Sequence, residues 1–407
     1  MINLAPPKDC TACHACVNVC PQHAVSMTLD SEGFLQPVIN RDVCIGCGLC
    51  QKKCPALNRN DEQPSGQPLK QRAFALISAE DRTVSSSGGA FSVFGRIVLK
   101  RGGVVYGATQ NESLQCYHIG VERVEDLSLL RGSKYVQSRI GDVFREIKKH
   151  LLNNRMVLFS GTPCQVAGLY SFLGKRYEGL LITLDIICHG VPNQKTFDSY
   201  IKKLNHVKQK NVKSFSFRKK DSWSLISSVV YSDGKNETLY LSDNAFMNAF
   251  FQGSTFRESC FHCQYCNINR IGTFTIADFW GLGGKGERPF RKNVAKGVSL
   301  VIDNLGAINQ YMHDIQQLAY IEERSVTEAV KKQHNLKSPM RRPPERNYAI
   351  ELMNDDAVCL EDFSKRCNLP YRKTLNNRMI IVLKKFLFLF GLYNIYKTIS
   401  YKMGKTS

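Results

Sequence analysis

Apolar and polar positions alternate along this chain in blocks of two lengths, and the blocks themselves alternate. Arg72–Ser78 (RAFALIS) is a short apolar run bounded by polar residues, which predicts a buried strand. Gly88–Lys100 carries apolar residues at helical spacing, and Val104–Ala108 predicts the next strand. The pattern then gives a helix over Asp142–Leu152, a strand over Met156–Ser160, a helix after Pro163, a strand over Leu180–Ile187 and a helix over Thr196–Leu204. Strands alternating with helices at this spacing predict an α/β sheet domain. From Val212 to Leu241 the pattern becomes β-rich around a Ser232-Asp233-Gly234 turn, and helix–strand alternation resumes through Ile308. Asn58–Leu69 is polar and holds Pro64, Gly66 and Pro68, which predicts a linker.

The segment before that linker is different: it is ordered by cysteines. Cys10, Cys13, Cys16 and Cys20-Pro21 are followed by Cys44, Cys47, Cys50 and Cys54-Pro55, two runs of C-x2-C-x2-C-x3-C-P. That is the ligand spacing of a bacterial-type ferredoxin with two 4Fe–4S clusters, in which the fourth cysteine of each run serves the other cluster. The spacing therefore assigns Cys10, Cys13, Cys16 and Cys54 to one cluster and Cys20, Cys44, Cys47 and Cys50 to the second. Gly46 and Gly48 leave room for backbone amides to approach sulfur. Zinc is the alternative, but its sites pair two C-x2-C units across a longer gap. A disulfide framework is weaker still, because Met1–Asp9 has no secretory character and a reducing compartment is expected.

Charge changes the picture at the other end. The 407 residues hold 55 Lys+Arg against 35 Asp+Glu, a net +20, and after Asp362 there are ten basic residues and no acidic one. Met379–Tyr396 is apolar apart from Lys384, Lys385 and Asn394. Its uncharged run is too short to span a bilayer, which needs about 20 residues. Three readings stand: an interfacial helix on an anionic membrane, a docking site for an acidic partner, or a helix on the core domain with lysines reaching outward. Nucleic acid is not an expected partner, since no binding module accompanies the charge. The expected location is cytoplasmic, with peripheral contact at the inner face of the membrane through this tail.

Chemistry-bearing motifs fall at the predicted strand–helix junctions, where open α/β sheets place ligands. Ser87-Gly88-Gly89 opens a helix and suits a phosphate, or is a serine-capped helix start. Ser133-Lys134-Tyr135-Val136-Gln137-Ser138 offers a cation, a ring and hydrogen-bonding groups, and suits a phosphorylated ring cofactor or a surface loop. Cys164 follows Thr162-Pro163, Cys188 and His189 follow another strand, and Cys260-x2-Cys263-x2-Cys266 lacks a close fourth cysteine. We read Cys164, Cys188, Cys260 and Cys263 as the ligands of a third 4Fe–4S cluster, with Cys266 competing for one place. His189 is the acid–base candidate, against the plainer reading of a hydrogen-bonded histidine.

Together with Ala277-Asp278-Phe279-Trp280-Gly281, these motifs come in the order of one family. The chain resembles the coenzyme F420 hydrogenase/dehydrogenase beta-subunit family over roughly residues 1–300. The resemblance implies an iron–sulfur flavoprotein with FAD beside a core cluster. It implies flavin contacts from Ser87, Gly88, Gly89, Ser133, Lys134, Tyr135, Gln137 and Ser138, with Thr162, Pro163 and Gln165 between flavin and cluster and Asp278 and Trp280 lining the pocket. It also implies a redox partner protein or ferredoxin, and a small organic or deazaflavin-type substrate. The resulting expectation is an α+β chain: a two-cluster ferredoxin domain (1–58), a linker (59–70), a mixed α/β flavin-binding core (71–345) and a basic helical tail (346–407).

Overall fold

A computed structural model describes residues 2–58, 71–219, 226–282 and 297–370. The expected linker and the apolar tail segment Met379–Tyr396 lie outside these residues.

In the amino-terminal segment, β1 (Val25–Leu29) and β2 (Leu35–Ile39) form an antiparallel hairpin beside the short helices Ala15–Val19 and Leu49–Lys52. The core of this segment is small: Cys16, Val25 and Cys50 are its buried members. So little apolar burial leaves such a unit dependent on bound metal for its stability.

The main domain is built on β3 (Arg72–Ser78), β4 (Val104–Gln110), β5 (Cys116–Val121), β6 (Val157–Gly161), β7 (Leu181–Ile186), β8 (Val212–Ser216), β9 (Ser227–Tyr231), β10 (Asn236–Leu239), β11 (Phe274–Asp278), β12 (Ser299–Asp303) and β13 (Ala319–Arg324). One sheet has the order β13-β3-β12-β11-β7-β6-β4-β5. Its centre, β4-β6-β7-β11, is parallel, and the flanks are antiparallel. Both faces are covered, as a parallel sheet requires. Leu158 of β6 joins Phe94 and Val98 of the helix Ala90–Lys100 on one face. Its neighbours Val157 and Phe159 join Phe144 and Leu169 of the helices Val143–Leu152 and Pro163–Leu173 on the other. The β-rich stretch forms a separate sheet, β10-β9-β8, turned at Gly234 with φ 80°.

Most predicted elements stand where periodicity places them. The edge strand β5 was not anticipated, nor was the helix Ala245–Gln252. Residues beyond 345 form the helices Arg346–Asn354 and Leu360–Arg366, and Ala349, Met353, Leu360 and Phe363 enter the cluster around Phe197 and Phe246.

Candidate functional site

Left-handed backbone shapes the amino-terminal thiol loops. Ala12 and His14 have φ 48° and 65°, and Gly46 and Gly48 have φ 71° and 69°. Glycine adopts this conformation freely, whereas for Ala12 it costs roughly 1–2 kcal/mol. The loops turn amides onto sulfur: Ala12 N–H donates to Cys10 Sγ at 3.4 Å, and Ala24 N–H to Cys20 Sγ at 3.2 Å. The thiols gather in crossed sets. Cys13 and Cys16 each feel the charges of Cys10 and Cys54, and Cys50 feels those of Cys20 and Cys47. A cavity lined by Cys20, Cys44, Cys47 and Cys50, with Val25, Ile39, Ile45 and Leu49, lies where the second cluster would sit. These residues fit a cluster: the thiols stand free, converge on one cavity and receive amide donors.

The core thiols come from separate elements. Cys164 follows β6, Cys188 follows β7, and Asp278 ends β11, so three adjacent parallel strands deliver their carboxyl ends to one place. That is where ligands bind in open α/β sheets. Cys260 and Cys263 lie on and just after the short helix Glu258–His262. Burial, then the charges of Cys260, Cys164 and Cys263, hold the Cys188 thiol well above its ordinary range. Burial and Cys263 push Cys164 up to about 11, and the same pair of causes pushes Cys260 up to about 12. All four predicted ligands are thus mutual neighbours. Among the described residues, no group of His, Cys, Asp or Glu is arranged for a single metal ion. Four mutually sensing but separated thiols suit a cubane, whose corners hold ligands farther apart than one ion does.

Two buried arginines build this junction. Arg270 pairs with Asp185 at 2.6 Å, side chains 1% and 0% exposed, and also donates to Tyr265 O and Ile186 O. It clamps the 260–266 loop to the end of β7. Arg257 donates to Cys10 O at 3.0 Å, Leu35 O at 2.7 Å and Gln137 Oε1 at 3.1 Å, and lies over the Phe34 ring. Ser259 Oγ also donates to Cys10 O, and Gln137 Nε2 to Thr11 O. Arg145 caps Val17 O, Asn18 O and Cys20 O. The ferredoxin-like segment is therefore bolted to the core, with the first thiol loop innermost. A Cβ on Gly168 of the helix Pro163–Leu173 would meet Cys13 Cβ at 2.8 Å. Tyr265 is half-buried and senses the charges of Cys164, Cys13 and Cys263, so it lies between the two thiol sets.

The predicted flavin contacts fall into two groups. Ser133 N–H and Oγ bond to Ser86 Oγ, which joins the two motifs at their edges. Tyr135 is bonded to Ser133 and Arg218, and Arg218 pairs with Asp278 at 2.5 Å with side chains 7% and 8% exposed. Ser87 Oγ donates to Val298 O. Gly88 has a packing reason, since a Cβ there would meet Leu76 O at 2.1 Å. The helix cap is Gly89, φ 99°, and not a serine. Trp280 is half-buried beside Asp278, donating its N–H to Asp278 O. The second group turns elsewhere. Lys134, lowered to about 8 by burial, donates to Leu130 O and Arg131 O. Gln137 faces the first thiol loop. Ser138 bonds to His118 Nδ1 and accepts from Gln165 Nε2, while Gln165 Oε1 takes the Thr162 N–H and Thr162 Oγ1 meets Cys164 Sγ at 3.1 Å. Pro163 begins the helix that carries Cys164. His189 bonds to Asn335 Oδ1 and Phe251 O among phenylalanine rings. An open groove lined by Tyr106, Glu122, Glu146 and His150 holds none of the predicted site residues.

Arg218, Gly168, Arg145 and Arg270 were not singled out in the sequence, and only Tyr265 carried a signal, its place inside the cysteine run. Arg218 Nε and Asp278 Oδ1 are buried and without partners among the described residues. One ion pair thus offers a free donor and a free acceptor, which fits the alternating C=O and N–H edge of a flavin pyrimidine ring.

Such an arrangement defines an iron–sulfur electron-transfer protein. Residues 9–58 match a family model described as a 4Fe–4S dicluster domain. Residues 154–329 match one that describes the carboxyl terminus of the beta subunit of coenzyme F420 hydrogenase/dehydrogenase. The chain is 24% identical to a subunit of the F420H2 dehydrogenase of Methanosarcina mazei over 67% of its own length and 77% of that protein. It is 41% identical to the ferredoxin-type protein NapF of Haemophilus influenzae over 12% of its own length and 29% of that one. A chain in a solved structure of the F420-reducing NiFe hydrogenase complex from Methanosarcina barkeri aligns over 75% of this chain and 94% of that chain, at 14% identity and TM-score 0.43. The chain is thus similar to coenzyme F420 hydrogenase/dehydrogenase beta subunits over residues 154–329 and to 4Fe–4S dicluster domains over residues 9–58. Among the described residues no helix is long and apolar enough to cross a membrane.

Proposed function

We propose that this chain is an iron–sulfur flavoprotein oxidoreductase that passes electrons between three thiolate-held 4Fe–4S clusters and FAD, and on to or from a small organic or deazaflavin-type substrate. The observation that carries the reading is the convergence of Cys164, Cys188, Cys260 and Cys263 at the ends of β6 and β7, beside the orphaned donor and acceptor of Arg218 and Asp278. Bound clusters supply single-electron transfer, and a bound flavin supplies the exchange between single electrons and a two-electron product.

The residues order the centres. Cys47 and Ile45 are exposed, so the Cys20, Cys44, Cys47 and Cys50 set is the outer terminal, open to a redox partner protein or ferredoxin. Cys16 senses Cys50, which ties the outer set to the inner one. Cys13 packs on Gly168, and Tyr265 bridges Cys13 to Cys164 and Cys263, which ties the inner set to the core. Arg218, Asp278 and Tyr135 orient the ring. Thr162 and Gln165 brace the turn that bears Cys164, and His189, next to Cys188 in the chain, bonds to Asn335 Oδ1 and Phe251 O. A second reading, an electron-transfer subunit serving a separate catalytic protein, is favoured by the name of the Methanosarcina mazei relative, itself a dehydrogenase subunit.

Reconstituted protein with FAD tests both. Turnover of deazaflavin or small quinone acceptors by the isolated chain supports the first. No turnover with any acceptor, but acceleration of an added partner enzyme, supports the second. Arg218→Met is expected to weaken FAD retention at least tenfold, and unchanged retention contradicts the placement of the ring. Membrane contact through the basic tail is part of this proposal, and flotation with anionic liposomes checks it: binding that survives removal of residues 375–407 contradicts it.

A further inference from the structure

Arg218, Arg270 and Arg346 are buried arginines that each pair with a carboxylate, Asp278, Asp185 and Glu32 in turn. Arg257, 1% exposed, is different. Its guanidinium donates to three neutral oxygens: Cys10 O at 3.0 Å, Leu35 O at 2.7 Å and Gln137 Oε1 at 3.1 Å. Asp30, whose charge reaches it, accepts instead from Phe34 N–H at 2.8 Å and Gln36 Nε2 at 3.1 Å. Arg257 therefore has no ion-pair partner among the described residues. A guanidinium stays protonated in proteins, and a buried charge without a counter-charge is strongly disfavoured. The fold nonetheless holds it rigidly. Arg257 N–H donates to Val191 O at 2.9 Å, Arg257 O accepts from Cys260 N–H at 3.0 Å, and the Phe34 ring lies 5.0 Å from the guanidinium. The result is a fixed, unpaired cation on the backbone of the first thiol loop. A 4Fe–4S cluster held by four thiolates is anionic, and reduction makes it more so.

We propose that Arg257 is the built-in counter-ion of the inner amino-terminal cluster and raises its reduction potential. This rests on the reading of Cys10, Cys13, Cys16 and Cys54 as that cluster's ligands. In the reduction, the cluster gains one electron from the redox partner protein or ferredoxin. No bond breaks, and Arg257 keeps its proton. Its permanent charge favours the added negative charge, and its hydrogen bond to Cys10 O carries that charge to the edge of the ligand loop. None of its three acceptors belongs to the outer set of Cys20, Cys44, Cys47 and Cys50. An electron entering at exposed Cys47 is thereby drawn inward, toward the core.

Redox titration of anaerobically reconstituted full-length protein, followed by low-temperature electron paramagnetic resonance, tests the proposal. Cys47→Ser assigns the outer signal. Arg257→Gln removes the charge and keeps an amide donor. At a fixed applied potential it is expected to lower the inner cluster's reduced-to-oxidised ratio at least tenfold, which is about 59 mV for a one-electron couple. Arg257→Lys keeps the charge and loses the planar fork, and is expected to recover most of that loss. The outer signal is expected to keep its wild-type potential in both. An unchanged inner ratio in iron-loaded Arg257→Gln overturns the counter-ion role. So does an equal shift of the outer signal, or a loss in Arg257→Lys as large as in Arg257→Gln. Should Arg257→Gln not fold, Arg257→Met replaces it, with the same drop expected and an unchanged ratio contradicting the role. Wild type holding fewer than about eight irons overturns the cluster reading itself, and the inference with it.

Discussion

Cys10, Cys13 and Cys16 are gathered by one loop of backbone, bent through left-handed residues at Ala12 and His14. Cys164, Cys188 and Cys260 are gathered by a sheet, from positions in three different connections. The first arrangement is local and weakly supported: its own core has Cys16, Val25 and Cys50 as buried members. The second is distant in sequence and rigidly supported by a two-faced sheet and a buried ion pair. The contrast teaches where stability comes from in each. Metal supplies it to the loops, whereas packing supplies the core site before any metal arrives.

Four experiments bear on that contrast, from the largest effect down. Iron chelation is expected to unfold residues 2–58, seen as rapid proteolysis there, while the 71–370 sheet stays resistant. Equal resistance of both regions would erase the contrast. Asp185→Ala strands Arg270, 1% exposed, without its partner. Losing one member of a buried pair costs about 3–5 kcal/mol, so denaturant melts should show that loss, with core iron lost and ferredoxin iron kept.

His118 gives the next effect. It is fully buried, and burial lowers it to about 4, with the Ser160 carbonyl opposing. Its folded pKa lies below the unfolded value of about 6.5, so its neutral form stabilises the fold above that pH. The stabilisation is lost as pH falls toward 4 and amounts to roughly 3 kcal/mol, which a His118→Asn variant should remove from the acid side of the stability profile. A profile unchanged by that variant would contradict the assignment. Gly168→Val, pressed against Cys13 at 2.8 Å, is expected to cost about 1–3 kcal/mol by overpacking. It should also slow electron exchange between the inner and core centres, measured by rapid mixing with a reductant.

The local arrangement was the legible one. The spacing of the eight amino-terminal cysteines carried the crossed pairing, because a loop's geometry is written in consecutive residues. Runs such as Arg72–Ser78 and Leu180–Ile187 carried the strands, because most of their positions are apolar and buried on both faces of the sheet. The core thiols were legible only as single motifs at strand ends, and the sheet order supplied their meeting. What holds the two regions together left no trace in the sequence. Arg257 reaches Cys10 O across a separation of 247 residues, and Arg346 reaches Phe256 O and Glu32. Arginines that bond backbone carbonyls of distant elements have no periodicity and no spacing to announce them. Arg218 was missed for the same reason: only the fold sets it beside Asp278. The edge strand β5 was missed because Cys116–Val121 interrupts its apolar positions with Gly120 and the buried His118.

The third cluster proposed behind the two of the ferredoxin segment is what most depends on the fold. Iron counted per folded chain after anaerobic reconstitution tests it most directly, with Cys188→Ser alongside wild type. About twelve irons are expected in wild type and about eight in the variant, with the ferredoxin signals unchanged. About eight irons in both would contradict it, and would leave the four core thiols as a buried cluster of structural cysteines.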